Sequence, residues 1–155
     1  MDRERILLER FATDVVLFIL SELSIESGLN TGLSPAVQAF IKHFLNYNCG
    51  FLEQAYNIYF EMDFITEEEH RTVCDAYIDK LLRSDILENT VPSSLVPFTF
   101  LALLGALSYQ KGTEKALFDS IEYMVRYLEI LKSRGHTDEN YLRDVQIFCE
   151  HFLES

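Results

Sequence analysis

The most apolar stretch of the chain runs from Leu95 to Leu107, and no charged residue interrupts the sequence between Thr90 and Gln110. A helix that crosses a bilayer needs about 20 apolar residues, so this stretch is too short to span a membrane. A helix that is apolar on every side is typical of the centre of a globular domain. The pattern therefore predicts a central helix over residues 95–110, with other helices packed around it.

Elsewhere, apolar residues recur at the three- and four-residue intervals of amphipathic helices. A break is expected near Gly50, because Asn46, Asn48 and Gly50 itself are weak helix formers. The chain is therefore predicted to form one all-α domain over residues 1–155, a bundle of about seven helices. The predicted helices cover residues 3–23, 34–48, 51–62, 66–85, 94–110 and 113–134, and a last helix starts near residue 137.

Local signals mark several helix ends. The pair Ser34-Pro35 is typical of an N-cap followed by the first helical residue. Thr66, followed three residues later by Glu69, predicts a capping box. Thr113 is expected to cap the helix that follows the central one, and Gly135 is expected to end it.

Charge and cysteine content narrow the function classes. The formal net charge is −12, which argues against binding to nucleic acid or to anionic lipid and favours a basic or amphipathic partner. Cys49, Cys74 and Cys149 are widely spaced, which predicts buried free thiols in a reducing compartment. Acidic residues at Asp2 and Glu4 do not fit a signal peptide, so we expect a cytoplasmic protein without a membrane anchor.

The sequence offers little evidence of catalysis or metal binding. Glu67 and His70 have the spacing of a carboxylate-bridged di-metal motif, but such sites need a second motif on a facing helix. We therefore interpret both residues as part of a solvated helix start. A Cys–His couple assembled from distant residues stays open as an alternative, without a motif to support it. We expect a non-enzymatic protein with no catalytic residue, no bound metal and no cofactor.

Aromatic residues are concentrated between residues 40 and 77, in the region of the two short helices predicted at 34–48 and 51–62. Most of them must be core. Short helices against a central helix can also leave an apolar groove, and such grooves bind amphipathic helices through anchors at i, i+3, i+4 and i+7.

The order and spacing of these segments resemble the Bcl-2 family of apoptosis regulators, especially its divergent viral members. The segment from Leu45 to Tyr56, followed by Asn-Ile-Tyr-Phe60, is similar to the second and third helices of that fold. The run Phe98-Thr-Phe-Leu-Ala-Leu-Leu-Gly-Ala-Leu107 is similar to its central fifth helix. The resemblance covers nearly the whole chain and implies a Bcl-2-like bundle.

Two departures from the family pattern bear on function. Residues 93–96 stand where the family has Asn-Trp-Gly-Arg, so the arginine that pairs with an aspartate of the bound helix is missing. Cys49-Gly50 stands where the death motif has Gly-Asp, which makes this segment a poor ligand for a family groove. The resemblance therefore implies a receptor, and hence a survival-promoting role.

The resemblance implies an inhibitor of apoptosis that sequesters pro-apoptotic Bcl-2 family proteins by binding their amphipathic death-motif helix. The alternative is a Bcl-2-like viral modulator of innate immune signalling, with a closed groove, that acts through a surface interface or a homodimer. The protein would lie in the host cytoplasm and reach the mitochondrial surface through its partners. The residues expected to line the peptide-binding groove are Leu52, Tyr56, Phe60, Tyr77, Leu81, Val96, Thr99 and Leu103.

Overall fold

The computed structural model describes the backbone of residues 3–25, 28–59, 66–83 and 91–154. Inside helices, the side chains of residues 48–59, 91–93 and 153 lie outside this description. The described residues form six helices and no strand, which confirms the predicted all-helical class. The helices are α1 (Arg3–Glu22), α2 (Pro35–Tyr59), α3 (Glu67–Arg83), α4 (Val91–Gln110), α5 (Ala116–Ser133) and α6 (Tyr141–Glu154).

Helix α4 lies at the centre of the bundle and contacts each of the other five helices. All its residues from Pro97 to Ala106 are buried, and Leu107 is half-buried. The prediction of a central apolar helix is therefore confirmed, although α4 starts at Val91, three residues earlier than expected. Helices α1 and α5 supply much of the surrounding core, including the buried side chains of Ala12, Val15, Ile19, Met124, Val125 and Leu128.

The predicted break near Gly50 is wrong. Helix α2 continues through Asn46, Asn48 and Gly50 to Tyr59, so the two short helices expected here are one. This merger reduces the expected count of about seven helices to six in the described ranges. A glycine inside a helix costs about 1 kcal/mol relative to alanine. Helix α2 packs against α6 and α4, and tertiary packing of this kind can outweigh such a cost.

Two predicted helix starts are confirmed. Glu69 N–H donates to Oγ1 of Thr66 at 3.1 Å, and Thr66 N–H donates to Oε1 of Glu69 at 3.3 Å. These reciprocal bonds form the expected capping box at the start of α3. At the start of α2, Val37 N–H donates to Oγ of Ser34 at 3.4 Å, as expected for an N-cap serine.

The predicted end of α5 at Gly135 is confirmed, but its predicted start at Thr113 is not. Gly135 has φ +80°, its N–H donates to the Lys132 carbonyl, and the N–H of His136 donates to the Leu131 carbonyl. This is a Schellman motif, which confirms that the helix ends at Gly135. Thr113 does not cap α5, because the helix begins three residues later at Ala116, with Lys115 in the cap position.

Candidate functional site

The α4 residues predicted to line the groove differ in exposure. Thr99 is fully buried, and its Oγ1 donates a hydrogen bond of 2.8 Å to the carbonyl oxygen of Leu95. Leu103 is 5% exposed, whereas Val96 is half-buried. Of these three side chains, only Val96 is accessible to a binding partner. Thr99 and Leu103, which were predicted to form the floor of the groove, are closed to solvent.

The two predicted groove residues on α3 lie at the edge of the core. Tyr77 and Leu81 are both half-buried and pack against the core cluster. The ring of Tyr77 lies 4.7 Å from the ring of Phe100 on α4, measured between centroids. Tyr77 therefore lies at the contact, or seam, between α3 and α4.

Two contacts fix the direction of this seam. Tyr77 contacts Phe100. His70, which precedes Tyr77 in α3, contacts Ser108, which follows Phe100 in α4. Helices α3 and α4 are therefore antiparallel. Leu81 lies one turn after Tyr77 in α3, and Val96, where the family pattern has an arginine, lies one turn before Phe100 in α4. In an antiparallel pair both positions are toward the same end of the seam. Tyr77, Leu81 and Val96, three of the eight predicted groove residues, are thus half-buried positions on two helices in contact.

The other three predicted groove residues precede α3 in the sequence. Leu52 and Tyr56 belong to α2, but their side chains lie outside the described residues. Phe60 follows the end of α2 and also lies outside the described residues. Their place in a groove stays a prediction.

The sequence analysis missed a buried polar cluster centred on His70. Instead of lying at a solvated helix start, His70 is fully buried among α3, α4 and α5. Its Nδ1 lies 3.0 Å from Oγ of Ser108, and its Nε2 lies 3.1 Å from Oγ of Ser120. Both ring nitrogens therefore have a partner, as a buried imidazole requires. The interpretation of His70 as solvated is wrong.

A signal for this burial is visible in the phase of α3. Cys74 and Ile78 follow His70 at intervals of four residues, and both are fully or nearly fully buried. Residues four apart lie on the same helix face. The apolar stripe of α3 extended by one turn toward its start would have placed His70 on the buried face.

The thiol of Cys74 lies beside the imidazole of His70, but the protonation states of the two groups do not suit nucleophilic catalysis. Sγ of Cys74 lies 3.6 Å from Nε2 of His70. Burial raises the pKa of the Cys74 thiol to about 12 and lowers the pKa of His70 to about 4, the latter partly opposed by the charge of Asp119. An activated Cys–His pair needs the opposite shifts, toward thiolate and imidazolium. The arrangement is that of a structural hydrogen-bond network.

A charged network lies beside this cluster at the surface between α3 and α5. Nη1 of Arg71 lies 2.8 Å from Oδ1 of Asp119. The guanidinium groups of Arg71 and Arg126 lie 5.2 and 4.9 Å from the centroid of the Tyr123 ring. Arg126 also approaches Asp75 on α3, at 3.8 Å. Ion pairs and cation–π contacts therefore fasten α3 to α5.

A separate cleft of about 300 Å³ lies between α1, α5 and the segment before α6. Leu8, Leu128 and Tyr141 line its apolar part. Ion pairs join its walls: Arg5 binds Glu129 at 2.6 Å, and Lys132 binds Glu4. Four charged side chains of the cleft are thus paired with one another, and the cleft includes none of the predicted groove residues.

The described parts of the chain contain no group of three or more His, Cys, Asp or Glu side chains arranged to hold a metal ion. Among the same residues, no helix has both the length and the apolar character needed to cross a membrane. Cys74 and Cys149 are buried free thiols, as predicted.

Comparison with known proteins adds no family assignment, since no family model, curated protein or solved structure matches this chain. The resemblance to the Bcl-2 family therefore rests on the sequence pattern, and the structure adds the helical bundle with its buried central helix.

Proposed function

We propose that this chain is a Bcl-2-like inhibitor of apoptosis that binds the amphipathic death-motif helix of pro-apoptotic partners along the seam between α3 and α4. The observation that carries the proposal is the half-buried apolar row of Tyr77, Leu81 and Val96 on the two sides of this antiparallel seam. An amphipathic helix lying on the row would bury its own apolar anchors against it. Each buried CH₂ group contributes about 0.8 kcal/mol to such binding.

The charge distribution supports the same mode of binding. The net charge of −12 favours a ligand helix with basic residues on its polar face. At the seam itself, Val96 provides no cation for an acidic ligand residue. A charge-assisted hydrogen bond contributes about 1.5–3 kcal/mol. Without it, affinity rests on the apolar anchors, and the chain would bind only the few helices whose side chains fit best.

Calorimetric titration with a panel of death-motif peptides tests the proposal. We expect one or a few peptides to bind with 1:1 stoichiometry. Leu81→Glu should abolish their binding, because it introduces a charge at the rim of the seam. Ile147→Glu makes the same kind of change at an exposed apolar position on α6 and should leave the affinity unchanged. If no peptide binds, or if Leu81→Glu binds like the parent chain, the proposal fails.

A second candidate function is favoured by the burial of Thr99 and Leu103. With this floor covered, a Bcl-2-like bundle would act through its acidic surface, or as a homodimer, in innate immune signalling. It would then bind none of the peptides. Under this alternative, binding to a basic partner would weaken steeply as salt increases, because exposed charges are screened.

Either role is that of a binding module that needs no catalytic group and no cofactor. We place it, again as a proposal, in the cytoplasm of a host cell, where the pro-apoptotic partners would bring it to the mitochondrial surface.

A further inference from the structure

The cleft between α1, α5 and the segment before α6 has an apolar floor. Leu8, Leu128 and Tyr141 border the cleft, and each of these side chains is largely buried in the core. A hydrogen bond of 3.0 Å between the Tyr141 hydroxyl group and Oγ of Ser94 holds the aromatic ring in place. The cleft volume of about 300 Å³ is at the lower end of the range for small-molecule pockets. The floor therefore suits a short apolar stem.

Most of the charge around this floor is neutralised within the protein. Arg5 pairs with Glu129 at 2.6 Å, and Lys132 pairs with Glu4. Asp138, the fifth charged residue that lines the cleft, has no ion pair with any residue that the structure describes. Three carboxylates and two cations give the cleft a net charge of −1, in a chain whose net charge is −12. Its unpaired charge is therefore negative.

Asp138 and two neighbouring hydroxyl groups provide hydrogen-bond acceptors for a cation. Oδ1 of Asp138 accepts a hydrogen bond of 2.8 Å from the N–H of Asn140, and Oδ2 has no partner among the described residues. Ser133 and Thr137 line the same cleft, and neither hydroxyl group makes a hydrogen bond within the described part of the chain. One carboxylate and two hydroxyl groups match in number the three N–H donors of a primary ammonium group.

We propose that this cleft binds a small primary alkylammonium ion, with its apolar stem on the floor of the cleft and its ammonium group at Asp138. The site is separate from the proposed groove for a helix, because none of the predicted groove residues lines the cleft. An anionic ligand does not fit, because Arg5 and Lys132 are already bound to carboxylates and Asp138 would repel it.

NMR titration of the ¹⁵N-labelled full chain with n-pentylamine, which is protonated at pH 7, tests the proposal. The amide signals expected to shift most, and in a saturable way, are those of Ser133, Thr137, Asp138 and Tyr141. Binding of n-butylamine should be about fourfold weaker, since burial of one CH₂ group contributes that factor. Binding of 1-pentanol, which has the same stem without the charge, should be about fivefold weaker, the factor expected for an exposed ion pair.

A pair of variants isolates the role of Asp138. Asp138→Asn removes the charge but keeps an oxygen that can accept from the N–H of Asn140, and it should weaken n-pentylamine binding about fivefold. Asp79→Asn removes one charge at an exposed position on α3, outside the cleft, and should leave the affinity unchanged. The proposal is overturned if n-pentylamine causes no saturable shift at the cleft, if the affinity does not rise with stem length, or if the two variants bind equally well.

A capped lysine, Nα-acetyl-lysine methylamide, distinguishes a free amine from the side chain of a protein partner. The free amine should bind more tightly, because a cleft of about 300 Å³ has little room for the capped backbone as well. Equal or tighter binding of the capped lysine would overturn the assignment of the ligand as a small free amine. These titrations contain no death-motif peptide, so their failure would leave the proposed function standing.

Discussion

Gly105 on α4 faces Ser120 on α5 so closely that a Cβ atom built on Gly105 would lie 2.5 Å from Oγ and 2.7 Å from Cβ of Ser120. The carbonyl oxygen of Ala116 would lie 3.2 Å away. Ser120 is fully buried and bound to His70, so a rotation of its side chain away from Gly105 would break that hydrogen bond. The absence of a side chain at Gly105 thus allows the close approach of α4 and α5 that brings Ser120 into contact with His70.

Gly105→Ala should therefore destabilise the protein by about 1–3 kcal/mol through overpacking. Chemical denaturation measures the free energy of unfolding. Ala76→Gly makes the reverse change at an exposed site on α3. It measures the difference in helix propensity between alanine and glycine, about 1 kcal/mol, by which Gly105→Ala would stabilise the protein if there were no overpacking. A Gly105→Ala protein as stable as the parent would contradict the close approach of α4 and α5.

The burial of His70 predicts a specific dependence of stability on pH. Burial lowers the pKa of the folded imidazole from 6.5 to about 4. Between these values the unfolded chain binds a proton that the folded chain does not. The contribution of His70 to the free energy of unfolding is fully present above pH 6.5, the pKa in the unfolded chain. It is lost as the pH falls toward 4, and the total loss is about 3 kcal/mol.

A comparison of variants isolates this contribution from that of the carboxylates. His70→Gln should lower the free energy of unfolding at pH 7, but its stability should fall less steeply than that of the parent between pH 6.5 and 4. His151→Gln, at an exposed position on α6, should retain the parent profile. Parallel profiles for the parent and His70→Gln would contradict a buried, neutral His70.

The capping box at the start of α3 should be measurable as well. Thr66→Ala removes the acceptor for the Glu69 N–H and should cost about 1 kcal/mol in the free energy of unfolding. Thr72→Ala changes the same residue type at an exposed position within α3 and should cost nothing, because alanine has the higher helix propensity. Equal effects of the two substitutions would argue against a capping role for Thr66.

Most features that depend on neighbouring residues in the sequence could be predicted, the cap at Thr113 being an exception. The apolar run of α4, the Thr66–Glu69 spacing and Gly135 each specify their own local structure, and the structure confirms all three. Features that depend on packing could not. Propensity alone predicts a break at Gly50, whereas α2, which packs against α6 and α4, is continuous there.

The candidate site was harder to predict for the same reason. Helical spacing predicted that Tyr77 and Leu81 lie on the inner face of α3, where both are half-buried, but it could not show that Thr99 and Leu103 are closed to solvent. The burial of His70 follows from its place one turn before Cys74 in α3, but its hydrogen-bond partners, Ser108 and Ser120, come from two other helices. No spacing within α3 reveals hydroxyl groups that arrive from elsewhere in the fold.

The most direct test of the central claim is to locate a bound death-motif peptide on the ¹⁵N-labelled chain by NMR. The account predicts that the amide signals with the largest shift changes belong to Tyr77, Leu81 and Val96 and to their neighbours on α3 and α4. It also predicts that signals around the cleft between α1 and α5 change little. Shift changes centred on that cleft, or no changes with any peptide of the panel, would contradict the account.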